Sequence, residues 1–367
     1  MNHVGIFRLD FPSPSETFIR EQAAHLRHFQ PIFVVRTPME AFAGISVGEE
    51  WQRKWFTLSR SPACFQDQHA LKSLQILHAH FGPDAVYALP LAERLNIPLV
   101  TTFHGYDATT KDSVFLRSRS VKNWHYLLGR KTLSCKGSLF IAVSKHIKNQ
   151  LLSKGFPESK IVVHHIGIDV EKFNPKTLPS QERYILSVGR HTAKKGMATL
   201  LQAFARITWQ FPNVKLIQIG TGGLTESLVA LTKELGITKQ VRFLGAQPHS
   251  EVQKWMRGAE IFVLPSETAP DGDSEGLPMV LGEASASGIP VVSTWHSGIP
   301  EIVLHGETGL LSAEKDSVRL ADHLALLLSD PGLGKELGRR GREHILDCFD
   351  IRKQTAKLEV IYRQLAG

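Results

Sequence analysis

Two glutamates, Glu275 and Glu283, bracket the start of an expected helix that opens at Leu277 with Pro278 in its first turn. The apolar run Ile261–Pro265 before them reads as a buried strand, and Ser266–Ser274 as a polar loop. A helix that starts after a parallel strand turns free N–H groups and the positive end of its dipole toward an anion. Two carboxylates at that place could hold the neutral, hydroxyl-rich parts of the same ligand. Arg190 and Lys195 flank a second strand-to-helix loop, Gly189–Gly196, where two cations could grip a diphosphate. A third loop, Gly220-Thr221-Gly222-Gly223, matches it, but falls short of a dinucleotide fingerprint and has no acid ending a second strand further on. In the front half, His104-Gly105 ends an apolar strand with Asp107 nearby, and His78 and His80 end a neighbouring one. Cations for a diphosphate, carboxylates for hydroxyls and a histidine beside them meet the needs of a nucleotide-sugar.

Asp271-Gly272-Asp273 imitates a metal-binding aspartate pair, yet its place in a loop inserted before the helix reads as a solvated turn. No His/Cys cluster has metal-ligand spacing, and there is neither a Walker lysine nor a G-x-S-x-G elbow. The site residues are therefore expected to need no metal.

Positioning these loops requires strands that end beside one another. Strands alternate with helices through the front half, from Val4–Phe7 to Ile161–His165, and again from Arg183 onward. That alternation implies two doubly wound parallel sheets, with ligands at the carboxyl ends of the strands. The expected division is residues 1–170, a linker at 171–182 and a second domain at 183–347. Pro12 and Pro14 make the first loop irregular, and Ser15 is expected to cap a helix from Glu16 to about Phe29. Between Thr37 and Asp67 the signals are weak; irregular structure is expected, with room for a strand near Trp55–Leu58. Helices are expected over most of 111–136 and over 351–365.

The composition is that of a water-soluble globular chain. No apolar run nears the roughly 20 residues that span a bilayer. Three widely spaced cysteines suit a reducing compartment, so a cytoplasmic location is expected. The net charge of +8 is concentrated: between Lys111 and Lys160 there are eleven bases and two acids. That stretch is expected either to solvate helix faces or to meet an anionic membrane surface, which would place the protein peripherally at the inner face. No nucleic-acid-binding pattern accompanies it.

At Ser187-Val188-Gly189-Arg190 with Lys195-Gly196, and at Glu275-Gly276-Leu277-Pro278 with Glu283-Ala284, the chain resembles the retaining glycosyltransferases of family 4. The resemblance continues through Ser297-Gly298-Ile299-Pro300-Glu301 and Gly306-Glu307-Thr308-Gly309. In front, Phe11–Ile19, His80-Phe81-Gly82 and His104–Asp107 look like the exopolysaccharide branch that includes colanic-acid and amylovoran transferases. The resemblance implies an α/β GT-B fold: two Rossmann-like domains facing across a cleft, with a last helix (348–367) crossing back to the first. It implies Arg190 and Lys195 at the donor diphosphate, within a donor site that includes Gly189, Gly220 and Gly222. Glu275 would hold sugar hydroxyls beside Gly276, Leu277 and Pro278, Glu283 would hold the ribose, and His104 would lie by the transferred sugar. The catalytic group would be His104, Arg190, Lys195 and Glu275, and the acceptor side Ser15, Glu16, His80 and Asp107. The expected reaction moves a sugar, with retention and without metal or other cofactor, from a nucleoside-diphosphate sugar to a glycan or lipid-linked glycan. A UDP-sugar is put ahead of a GDP-sugar. The sequence departs from the family where many members have a Gly-rich first loop and this chain has Pro12-Ser13-Pro14-Ser15. The alternatives are a GT-B sugar-nucleotide epimerase or hydrolase, a Rossmann oxidoreductase, and a non-catalytic member of a polysaccharide assembly complex.

Overall fold

The computed structural model describes residues 2–10, 16–37, 44–65, 68–175 and 182–367. The expected loop at Pro12–Pro14 and the cap at Ser15 lie outside them. The chain divides into two compact units, Met1–Gly167 with Ile351–Gly367, and Ile168–Asp350.

Unit 1 begins with β1 (Asn2–Arg8), α1 (Thr17–Ala24), β2 (Phe29–Val35), β3 (Gly44–Ser46), α2 (Glu50–Ser59) and α3 (Gln68–Lys72). It continues with β4 (Leu74–His80), α4 (Gly82–Leu95), β5 (Leu99–Phe103), α5 (Tyr106–Thr109), α6 (Asp112–Arg117), α7 (Val121–Lys136), β6 (Leu139–Ala142), α8 (Lys145–Ser153) and β7 (Ile161–Val163). The sheet is parallel, in the order β3-β2-β1-β4-β5-β6-β7. β5 is buried along its whole length, as a strand covered on both faces must be. The order reverses beside β1, so the loops leaving β1 and β4 part at the point where such sheets take ligands.

Two expectations fail in this unit. Trp55–Leu58 is helix, not strand. The Gln52 side chain accepts the Glu49 N–H at 2.8 Å and closes the start of α2, while Phe56 turns inward and Trp51, Trp55 and Leu58 remain exposed at helical spacing. α1 stops at Ala24, short of Phe29. The N–H groups of Arg27, His28 and Phe29 all donate to one Glu359 carboxylate oxygen, at 2.7, 2.6 and 3.2 Å, so they are not available to continue a helix. The helices expected over most of 111–136 are α6 and α7, which part around Ser118 and Ser120.

Unit 2 contains β8 (Arg183–Val188), α9 (Met197–Ile207), β9 (Val214–Ile219), α10 (Thr225–Glu234), β10 (Val241–Phe243), α11 (His249–Gly258) and β11 (Ile261–Val263). α12 (Met279–Ala286), β12 (Val291–Thr294), α13 (Ile299–Ile302), β13 (Gly309–Ser312), α14 (Ser317–Ser329) and α15 (Pro331–Cys348) follow. The parallel order is β10-β9-β8-β11-β12-β13. The switch point falls between β8 and β11, whose loops carry Lys195 and Glu275. α9 buries Leu200, Leu201, Phe204 and Ile207, each worth about 1.5–3 kcal/mol of apolar transfer. The helix expected from Leu277 starts two residues later. Pro278 is extended (ψ 98°) and precedes α12 rather than forming its first turn.

The last helix, α16 (Ile351–Ala366), belongs to unit 1. Its Leu358 and Tyr362 join Val4, Ile6, Ile76 and Val100 in one core. A side chain at Gly167 would lie 2.3 Å from the Ile351 backbone, so only glycine permits that approach.

Candidate active site

In unit 2 the site is assembled by backbone contact between loops. Gly196 adopts φ +61°, and a Cβ there would meet the Pro265 carbonyl oxygen at 1.9 Å. That approach presses the loop after β8 against the end of β11. It sets Lys195 Nζ 2.6 Å from Glu275 Oε1, an ion pair almost wholly buried. Burial pushes the Glu275 carboxyl up, but Lys195 and then Lys194 outweigh it and hold the group at about 2. The Ser266 hydroxyl donates to the same oxygen at 3.3 Å. The N–H groups of Gly276 and Leu277 have no acceptor among the described residues, and both residues are buried on the approach to α12.

Gly220 (φ +139°) is equally constrained, since a Cβ there would sit 2.0 Å from the Gly189 carbonyl oxygen; one at Gly222 would sit 2.5 Å from that of His191. The loops after β8 and β9 are thus joined through bare backbone. His191, which sequence reasoning passed over, locks them. Its N–H donates to the Thr221 carbonyl at 2.9 Å, its Nε2 faces Gln218 Oε1 at 2.6 Å and its Nδ1 faces Thr225 Oγ1 at 2.7 Å. Arg190 is exposed, and its side chain has no partner among the described residues. Glu283 is half-buried, with His249 Nε2 3.4 Å from Oε1.

The inserted loop before Glu275 is built in, not merely solvated. Asp271 is exposed, as expected of the turn, but Asp273 accepts from the buried Lys194 ammonium at 3.0 Å. The Glu267 N–H returns to the Lys194 carbonyl at 2.9 Å. A second tie comes from the other side. The Glu275 N–H donates to His296 Nε2 at 3.1 Å, which leaves Nδ1 to donate to Glu314 Oε1 at 2.6 Å. Glu314 also accepts the Thr268 N–H at 2.8 Å. One histidine therefore fixes the peptide of Glu275 and, through Glu314, the start of the insertion.

In unit 1, Arg8 at the end of β1 is buried between two carboxylates, Asp84 at 2.5 Å and Glu16 at 2.7 Å. Lys122 meets the other Asp84 oxygen at 2.7 Å. Glu16 is thus the partner of an arginine that the sequence did not single out. Arg8 also lies over the Phe81 ring, 4.5 Å from its centre. His104 is packed by Phe18 and Phe81, and its Nε2 is 3.0 Å from His80 Nδ1, so the two rings share one proton. His104 Nδ1 has no partner among the described residues. Burial, reinforced by Arg8, holds His104 well below the usual histidine range, so the ring is neutral. His78 bonds Tyr362 and Thr102 and stacks on His80. Asp107 does not face outward. It accepts the N–H groups of Gly82, His104 and Gly105 at 2.9, 3.1 and 3.0 Å, stapling the loop that carries His104. Ser15 lies outside the described residues. Among those residues no group of three or more His, Cys, Asp or Glu side chains could hold a metal ion.

Two Rossmann-like parallel-sheet units, with polar loops at each switch point, define the GT-B fold of glycosyltransferases. HepE of Anabaena, solved with UDP and glucose, superposes over the whole of both chains with a TM-score of 0.81 at 18% identity. Sucrose-phosphate synthase of Thermosynechococcus elongatus superposes over the whole of this chain and 99% of its own, with a TM-score of 0.76 at 19% identity. The family model for glycosyl transferases group 1 matches residues 169–344, and that for Glycosyltransferase Family 4 matches residues 16–172. WcaL of Escherichia coli (strain K12), assigned to colanic acid biosynthesis as a glycosyltransferase, is 37% identical over 79% of this chain and 68% of its own length. AmsK, the amylovoran biosynthesis glycosyltransferase of Erwinia amylovora, is 35% identical over 67% of this chain and 59% of its own length. The chain belongs to glycosyltransferase family 4.

Among the described residues no helix is long and apolar enough to cross a membrane.

Proposed function

We propose that this protein is a retaining, metal-independent transferase of exopolysaccharide assembly. It moves a sugar from a nucleoside-diphosphate sugar, a UDP-sugar first, to a glycan or lipid-linked glycan acceptor. The observation that carries this reading is the buried Lys195–Glu275 pair beside the open N–H groups of Gly276 and Leu277, at the switch point of a family 4 fold. A diphosphate competes with Glu275 for the Lys195 ammonium and adds Arg190, whose side chain has no other partner among the described residues. Glu275 is then released toward sugar hydroxyls. Stabilising negative charge on the departing diphosphate is the main catalytic term in this account, with Arg190 and Lys195 supplying it and Glu275 positioning the sugar. Glu283 takes the ribose, and the neutral His104 keeps the role that the resemblance gives it. The names of WcaL and AmsK support the polysaccharide class.

The test is calorimetric titration with UDP, GDP and ADP, followed by transfer from the matching sugar nucleotides to a lipid-linked glycan pool, with the anomeric configuration of the product read by NMR. UDP binding with an α product from an α donor is expected. A β product would remove retention, and failure to bind any nucleoside diphosphate would remove the donor site.

A further inference from the structure

The eleven bases between Lys111 and Lys160 do not form one open face. Lys122 is paired with Asp84, Arg130 and Lys154 with Asp112, Lys136 with Glu93 and Lys148 with Glu158. Lys160 donates to the carbonyls of Cys135 and Gly137. Arg117, Arg119 and Lys131 are exposed and have no partner among the described residues.

Arg117 of α6 and Lys131 of α7 lie on helices with an unusual apolar exterior, and Arg119 lies in the link between them. On α7, Trp124, Leu128 and Lys131 recur at a spacing of four and three residues, so they share one side of the helix; Leu128 is 80% exposed. The Trp124 indole donates to the Leu116 carbonyl at 3.3 Å, which joins α6 to this face, and Leu116 is 61% exposed. α2 repeats the spacing with Trp51, Trp55 and Leu58, each more than half exposed. The two helices are neighbours. The Tyr87 hydroxyl donates to the Thr57 carbonyl and faces His125 Nδ1 at 2.9 Å. A side chain at Gly129 of α7 would lie 3.5 Å from the Arg60 guanidinium, just past α2. Their inward sides are already filled, by Phe56 and Tyr126. The tryptophans therefore turn about half or more of their surface outward.

Tryptophan with an exposed ring and flanking free cations matches a boundary that is apolar on one side and anionic on the other. We propose that α2, α6 and α7 dock unit 1 on an anionic bilayer. Trp51, Trp55, Leu58, Leu116, Trp124 and Leu128 enter the interface, and Arg117, Arg119 and Lys131 meet the lipid phosphates. The proposal uses no donor-site residue and stands independently of the transferase reading.

The test is sedimentation of the full chain with phosphatidylcholine vesicles, with and without phosphatidylglycerol, at low and high salt. Tryptophan quenching by brominated acyl chains is read in parallel. Wild type is expected to bind the anionic vesicles, with a salt-sensitive part and a part that survives high salt. Replacing Arg117, Arg119 and Lys131 together by Glu should lower binding by about tenfold or more. Trp51→Ser with Trp55→Ser should remove the salt-resistant part and much of the quenching, and Leu128→Glu should do the same from α7. UDP binding and thermal unfolding confirm that each variant is folded. Absence of binding to anionic vesicles, equal binding by all variants, or unquenched tryptophans in the bound protein would overturn the proposal. Binding that appears only after a protein is added would assign the face to a protein partner instead.

Discussion

Lys195 and Glu275 are each other's charge partner, 2.6 Å apart and shielded from water. The sequence suggested separate duties for them, one at the diphosphate and one at the sugar. Removing either leaves a buried charge without its counter-ion, so Lys195→Ala and Glu275→Ala should each lower stability by about 3–5 kcal/mol as well as abolish most transfer. The double variant should be less destabilised than the sum of the two, by about 1–3 kcal/mol of coupling. Urea unfolding of the three proteins measures this, and strict additivity would show that the pair contributes no mutual energy.

The same carboxylate makes a pH prediction. Its folded value of about 2 lies below the ordinary 4.5. The stability it contributes is complete above 4.5 and is lost as pH falls from there toward 2, roughly 3 kcal/mol in all. Glu275→Gln has no such titration. The stability gap between wild type and this variant should therefore narrow from about pH 5 to pH 3. Parallel curves would remove Glu275 from the acid response.

Two glycines of unit 2 should differ sharply. Gly196→Ala puts a methyl group 1.9 Å from the Pro265 oxygen at positive φ. It should cost upwards of about 1–3 kcal/mol and displace Lys195, so UDP affinity falls with the melting temperature. Gly223→Ala meets nothing within 4 Å and should leave both unchanged. A tolerant Gly196 would mean that the loop after β8 is not seated on β11.

The insertion before Glu275 is tied by Lys194–Asp273 on one side and by His296–Glu314–Thr268 on the other. Lys194→Met should loosen discrimination among UDP-sugars while leaving affinity for UDP itself unchanged. His296→Ala, which frees the Glu275 N–H, should lower turnover more than it raises the donor KM, and His296→Asn, whose amide can still accept that N–H, should recover part of the loss. Sugar-nucleotide competition assays read both. Unchanged selectivity in both the Lys194 and the Ala variant would leave the insertion without a role in donor choice.

The α/β alternation and the loops of Glu275, Lys195 and His104 were legible because their signals are local: apolar runs, a glycine, a charge at a strand end. What stayed hidden depends on residues far apart in sequence. Nothing near Arg8 announces Asp84, nothing near Lys194 announces Asp273, and nothing near Glu275 announces His296. Gln218 becomes informative only once Gly220 has placed its strand against His191. Asp107 shows the reverse case. Its position beside His104 was visible, but its direction was not, since three backbone N–H groups compete for the carboxylate and win. α2 was misread because Trp51, Trp55 and Leu58 look β-like by composition, whereas their spacing is helical and their face exposed.

α16 is the last of the described helices, yet Leu358 and Tyr362 complete the core around β1 and β4, and Glu359 holds the turn into β2. On the ribosome, the unit that is synthesised first is therefore the last to be finished. Unit 2 has all its strands before residues 351–366 emerge, while unit 1 waits with Ile6 and Ile76 incompletely covered. The order of synthesis and the order of completion are opposed, and a chain stalled near Asp350 exposes the interior of the unit it made first.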